Sequence, residues 1–215
     1  MKYRLLVFDW DGTIIDSAST IAECIRDASR DLSLEVPEPE RARHVIGLGL
    51  HDAMRVVVPQ LPASRYPEFV ASYRKHFLAR KDSMQLFAGM RELLAELAGR
   101  HFLAIATGKS RQGLDRDIEF HGLKALFAAS RCADETQPKP HPAMLIELMA
   151  ELAVQNDAAL MIGDTSHDLE MARAASVAAL AVTYGAHAED GLRACAPLGC
   201  FPTVEELQAW LKANG

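Results

Sequence analysis

Five short apolar runs constrain the fold of this chain more than any other feature: RLLVF (4–8), FLAIA (102–106), LFAAS (126–130), AALMI (158–162) and AALAVT (178–183). None alternates strictly between apolar and polar, so each reads as a strand buried on both faces. Between them lie GMRELLAELAG (89–99), RQGLDRDIEF (111–120), PAMLIELMAEL (142–152) and HDLEMARAA (167–175), all with helical spacing. Strands that alternate with helices give an α/β fold with a doubly wound parallel sheet. Residues 17–82 break the alternation. STIAECIRDASRDL and PEFVASYRKHFLAR read as helices there, no strand is evident, and EVPEPE (35–40) and VPQLPAS (58–64) mark turns. The expectation is a core of residues 1–16 and 83–215, interrupted after its first strand by a smaller helical cap domain, residues 17–82.

A length of 215 residues suits one core with a modest insertion, and 49% hydrophobic against 24% charged residues is a folding composition. The net charge of −6 disfavours unaided attraction to nucleic acid or to an anionic membrane. A small anionic ligand would need local positive charge. Cys24, Cys132, Cys195 and Cys200 have no CxxC spacing and read as reduced thiols. Lys2 and Arg4 precede an apolar run that Asp9 cuts too early for a signal sequence or a membrane span, so a cytoplasmic location is expected.

Parallel α/β sheets bind ligands beyond the carboxyl ends of their strands. Polar residues stand there: Asp9 and Asp11 after the first run, Thr107-Gly108-Lys109 after the second, Gly163-Asp164-Thr165 after the fourth, and Lys139 in the loop TQPKPHPAM. Each fragment also has a purely structural reading. Asp11-Gly12 between apolar runs is a hairpin signal. Thr107 and Lys109 suit a helix approach and a solvated charge, and ATGKS is no phosphate-binding P-loop, because Leu103 stands where that motif needs glycine. Thr165 and Asp168 have capping-box spacing, and Lys139 between two prolines reads as a surface lysine. The order and joint occurrence of the fragments shift the balance toward a site.

That pattern resembles the haloacid dehalogenase superfamily, within it the phosphoglycolate phosphatase-like and β-phosphoglucomutase-like group with a helical cap. Asp9, Asp11, Gly12, Thr13 and Asp16 match its first motif, DxDGTxxD; Thr107 matches the second, Lys139 the third, and Gly163, Asp164 and Asp168 the fourth. Ser176 departs from it, standing where relatives usually carry Gly. The resemblance implies a Rossmann-like core and a Mg2+-dependent phosphatase. In it Asp9 is the nucleophile, forming an aspartyl-phosphate, and Asp11 the general acid and base. Asp9, the Asp11 carbonyl and Asp164 would bind the metal with Asp168 in support. Gly12 would let the backbone approach closely, Thr13 would brace the nucleophile, and Thr107, the Gly108 amide and Lys139 would hold the phosphoryl oxygens. Three aspartates behind one strand repel one another unless a cation binds, which disfavours the hairpin reading.

An acid at Asp11 favours phosphate-ester hydrolysis over dehalogenation, since halide leaves without a proton. Ile21 occupies the stretch where the resembling mutases carry a hinge histidine. A phosphomutase remains the alternative within the family, and a non-catalytic phospho-ligand-binding protein of the same fold the alternative from another functional class. The expected partner is a small phosphorylated metabolite, phosphoglycolate-like or a sugar phosphate, bound by a monomer or weak dimer. In RARHVIGLGLHD (41–52), Gly47 and Gly49 permit a bend over the site, with Arg43, His44 or His51 available to a substrate anion. A glycine turn between two helices with exposed side chains explains that stretch equally well.

Overall fold

The computed structural model describes residues 2–215. Six parallel strands, β1 (Leu5–Phe8), β2 (Phe102–Thr107), β3 (Ala129–Cys132), β4 (Ala159–Gly163), β5 (Ala178–Val182) and β6 (Cys200–Phe201), form one sheet in the order β3-β2-β1-β4-β5-β6. Because side chains alternate along a strand, β1 serves two cores. Leu6 and Phe8 join a cluster with Leu93 and Leu94 of α5 (Met90–Ala98), Leu114 of α6 (Arg111–Phe120) and Leu207 of α10 (Val204–Asn214). Leu5 and Val7 join another with Leu145 and Leu148 of α7 (Ala143–Glu151) and Met171 of α8 (Ser166–Ala174). Burial on both faces explains the near-continuous apolar runs.

Between β1 and α5 the described chain forms helices and no strand: α1 (Ala18–Asp31), α2 (Pro39–His44), α3 (Leu50–Val57) and α4 (Tyr66–Arg80). Helix α1 packs along α4 and against α2. The buried side chains of this insert are continuous with the cluster on the α5 face of the sheet.

The third apolar run differs from expectation. A short 3-10 turn occupies Lys124–Leu126, and pairing with β2 begins only at Ala129, so LFAAS is mostly approach to an edge strand. Strand β6 has two residues, too few for a periodic signal, and α9 (Glu189–Ala194) is nearly as brief. No helix among the described residues is long and apolar enough to cross a membrane, and all four cysteines are free.

Ser176 has φ of +55°, the left-handed conformation that favours glycine. It ends α8 in a Schellman turn: the Val177 N–H donates to Ala172 O at 2.8 Å and the Ser176 N–H to Arg173 O at 3.0 Å. The departure at this position therefore touches backbone strain and lies away from the chemistry. Ser176→Gly should stabilise the protein by about 1 kcal/mol, net of the added freedom of the unfolded chain. For a chain of this size that corresponds to a Tm rise of about 2–4 °C in a calorimetric scan. An unchanged or lower Tm would refute the strain at Ser176.

Candidate active site

Strands β1 and β4 lie side by side at the centre of the sheet, where the strand order turns outward in both directions and a crevice opens beyond their carboxyl ends. Phe8 is in register with Ile162, and the Asp9 N–H donates to Ile162 O at 2.9 Å, so the ladder itself sets Asp9 beside the start of the Gly163-Asp164 turn. Ligand atoms of Asp9, Asp164 and Asp168 all lie within 4.8 Å of one another. Asp164 is fixed on both oxygens: Thr13 Oγ1 donates to Oδ1 at 2.8 Å and the Ala186 N–H to Oδ2 at 2.7 Å. Gly12, with φ of +84°, makes room for it, since a Cβ there would fall 2.2 Å from Asp164 Oδ2. The Thr13 hydroxyl thus braces Asp164, where the resemblance implied a brace for Asp9.

Asp168 caps its helix as its spacing with Thr165 suggested, and it also meets Lys139. The Thr165 N–H and hydroxyl donate to its Oδ2, completing a capping box at the start of α8, while its Oδ1 faces Lys139 Nζ at 2.6 Å. Lys139 is 0% exposed and also lies 2.8 Å from Asp9 Oδ1. That approach is close enough for an ion pair, although its angles are not those of a hydrogen bond. Lys139 is no surface lysine. Burial alone would lower its pKa, but Asp168 and Asp9 outweigh burial and hold it above the ordinary lysine value.

The carboxylates carry the opposite burden. Burial, reinforced by Asp168 and Asp164 and only partly offset by Lys139, pushes Asp9 up; burial and Asp168 push Asp164 up to about 7. Fully ionised, three buried carboxylates would exceed the one ammonium by two negative charges, which is the burden that raises them. Asp9 Oδ2 is buried with no hydrogen-bond partner, so the pocket holds a free acceptor beside excess negative charge. All-oxygen ligands and this charge fit a hard divalent cation.

Asp11 sits to one side. Its Oδ1 accepts from Ser17 Oγ at 2.8 Å, and both oxygens accept from Lys109 Nζ at 3.0–3.1 Å. Lys109 also contacts Asp117 Oδ2 at 2.9 Å and lies over the Phe77 ring of α4, 4.8 Å from its centroid. Lys109, Ser17 and Asp117 are the residues that sequence reasoning missed; Lys109 is a nearly buried bridge, not a solvated charge. Its place two residues after Thr107 was a usable signal. Thr107, 1% exposed, accepts the Lys109 N–H at 3.2 Å and stands at the end of β2. Asp16, the last aspartate of the first motif, is exposed and outside the cluster.

The loop between α2 and α3 closes over this edge with its backbone. A Cβ on Gly108 would lie 2.6 Å from Gly47 O and 2.8 Å from Leu48 O. Two core histidines grip the end of α2: His167 Nε2 and His187 Nε2 lie 2.8 and 3.1 Å from the main-chain oxygen of His44. The Ser166 N–H donates to His187 Nδ1 at 3.1 Å, leaving Nε2–H to donate to His44 O. The expected anion contacts are therefore engaged elsewhere. Arg43 donates to Ser19 Oγ at 2.6 Å, the His44 ring stacks on His187, and His51 packs on Tyr66. None of these three lines the cleft that reaches Asp9 and Asp11.

A family model described as haloacid dehalogenase-like hydrolase matches residues 6–182. The chain is 35% identical over 211 residues to a protein named probable phosphatase IndB from Dickeya dadantii, across 94% of this chain and 91% of that one. It is 28% identical over 222 residues to a phosphoglycolate phosphatase from Colwellia psychrerythraea, across 97% of each. A solved hydrolase structure from Pseudomonas syringae shares the fold with a TM-score of 0.90 over 100% of both chains at 17% identity. The chain belongs to the haloacid dehalogenase-like hydrolase family.

Because a cation bound only by the folded state adds stability by mass action, one at about 100 times its Kd should contribute about 2.7 kcal/mol. Thermal scans with added divalent cation should show a Tm rise of several degrees, largely lost in Asp164→Asn. No shift in the wild-type chain would refute the cation site.

Proposed function

We propose that the chain is a Mg2+-dependent phosphatase that hydrolyses a phosphate monoester through an aspartyl-phosphate on Asp9. One observation carries the reading: a buried nucleophile-type carboxylate with an unpartnered oxygen, touching a buried lysine inside a cluster of three acids. Family membership and the phosphatase names of the relatives support it. The name of one such relative, phosphoglycolate phosphatase, gives a small phosphate monoester as the substrate of that protein. Asp9 and Asp164 are the side chains that would hold the metal, with Asp168 in support and together with the main-chain carbonyl of Asp11 that the family resemblance implies. Bound there, Mg2+ supplies positive charge to the phosphoryl oxygens and lessens the repulsion between carboxylates.

The residues divide the rest. Asp9 Oδ attacks phosphorus as the bond to the ester oxygen breaks, and protonated Asp11 gives that oxygen its proton. In the second half Asp11 takes a proton from water, the water oxygen attacks phosphorus, and the acyl–phosphate bond breaks to restore Asp9 and release phosphate. Lys139 and Thr107 meet the phosphoryl oxygens in this reading, where a buried cation is worth far more than in water. Lys109 and Ser17 position Asp11 between turnovers and must release it for proton transfer. The insert, residues 17–82, acts as a cap that excludes water and selects the alcohol. Ile21, in place of a hinge histidine, supports hydrolysis over a mutase reaction.

Asp9→Asn should lower turnover of p-nitrophenyl phosphate at least about 1,000-fold, comparable to removing other covalent nucleophiles, in protein whose circular dichroism shows it folded at the assay temperature. Substantial residual activity would sink the covalent route. Asp11→Asn should lose more on an alkyl phosphate than on p-nitrophenyl phosphate, whose leaving group needs no proton; equal losses contradict the acid role. Chelator should stop turnover and Mg2+ restore it, while Ca2+ should inhibit, because its looser shell can engage both oxygens of a carboxylate that has to attack. Equal rates in Ca2+ or in excess chelator would overturn the Mg2+ assignment.

A further inference from the structure

We propose that the alcohol this site is shaped to release is bulky and apolar, aromatic or branched-aliphatic, and neither a two-carbon acid nor a polyhydroxylated sugar. The inference rests on the phosphatase reading above and concerns only the group attached to the phosphate. A cleft of about 460 Å3 starts at Asp9 and Asp11 and runs between the insert and the turn after β2. That volume lies in the range of about 300–1,000 Å3 that accommodates drug-sized ligands. A two-carbon acid would leave most of it to water.

The two walls differ in chemistry. The core wall is polar, with Thr107, Ser110 and Gln112, whereas the insert wall presents Ile21, Ile25, Met54, Phe69 and Phe77. Tyr73 and Arg74 are the insert's polar side chains along the cleft among the described residues, too few for the hydroxyls of a sugar laid on that wall, and each one left unpaired is penalised. Cations for a substrate carboxylate are also committed. Lys109 pairs with Asp11 and Asp117, and Arg116 with Asp117. Arg74 is the only charged insert side chain lining the cleft among the described residues, and it is exposed. At the mouth Leu50 and Leu78 remain 45% and 46% exposed, apolar surface that an apolar ligand would cover. An alcohol with an aromatic or branched body satisfies this wall, with any polar end directed outward toward Arg74.

The test compares alkyl phosphates, so that leaving-group acidity does not decide the ranking. Phosphate release from 2-phenylethyl phosphate, glycerol 3-phosphate and phosphoglycolate is measured with Mg2+, with p-nitrophenyl phosphate as a check on the chemistry. We expect kcat/KM for 2-phenylethyl phosphate to exceed the other two alkyl esters by about 100-fold or more, equivalent to about 2.7 kcal/mol. Met54→Gln should reduce that ratio about tenfold, and a ratio taken on one preparation does not depend on how much of it is folded. Equal or better turnover of phosphoglycolate or glycerol 3-phosphate, or an unchanged ratio in Met54→Gln, overturns the inference while leaving the phosphatase reading intact. Turnover of p-nitrophenyl phosphate alone has the same effect. No turnover of any of the four overturns the phosphatase reading and this inference with it.

Discussion

Lys139 buried between Asp9 and Asp168 is the contact on which the rest of the site depends. An ammonium removed from water is stable there only because two carboxylates lie within 2.8 Å, and those carboxylates are tolerable together only because of it. The group is still short of positive charge, with Asp164 completing the acidic set. The surrounding backbone is shaped to that arrangement. β1 delivers Asp9 and β4 delivers Asp164, the first turn of α8 turns Asp168 inward through its capping box, and Gly12 lacks the Cβ that would collide with Asp164. Structural and chemical roles coincide in Asp168, so a capping interaction at this helix also aims a carboxylate.

The legible parts of the sequence were those whose physics is local. Short apolar runs located the central strands to within a residue because both faces are buried, and RQGLDRDIEF matched α6 end to end. Asp9, Asp164 and Lys139 could be picked out because each follows or precedes a recognisable element. Lys109 could not be read the same way: its burial comes from Asp11, ninety-eight positions away, and from a ring on α4. The loop over the site shows the limit most clearly. Gly47 and Gly49 correctly marked a bend, but which atoms face Asp9 depends on how α2 is held, and His167 and His187 hold it by a main-chain oxygen. The loop therefore presents backbone to the site, and the side chains of Arg43, His44 and His51 turn to other neighbours.

Core and insert carry different kinds of recognition. The core supplies fixed charges and hydroxyls at the strand ends, suited to a group common to all phosphate esters. The insert offers an apolar wall on α1, α3 and α4, suited to shape and hydrophobicity. Replacing the wall while retaining the strand ends changes one without the other, an arrangement in which one chemistry can serve many alcohols.

The contact between Gly108 and the Gly47–Leu48 backbone carries a mechanical consequence. Both carboxylate oxygens of Asp9 are sealed from solvent in this arrangement, and main chain rests directly on main chain above them. On the phosphatase reading, an ester could seat on Asp9 only once this contact had opened, and inorganic phosphate could leave only once it had opened again. Each catalytic cycle would then contain two gating motions, and the slower of them would set a ceiling on turnover. An ester with an intrinsically easy leaving group would meet that ceiling first, and its rate would then respond to solvent viscosity in place of leaving-group acidity.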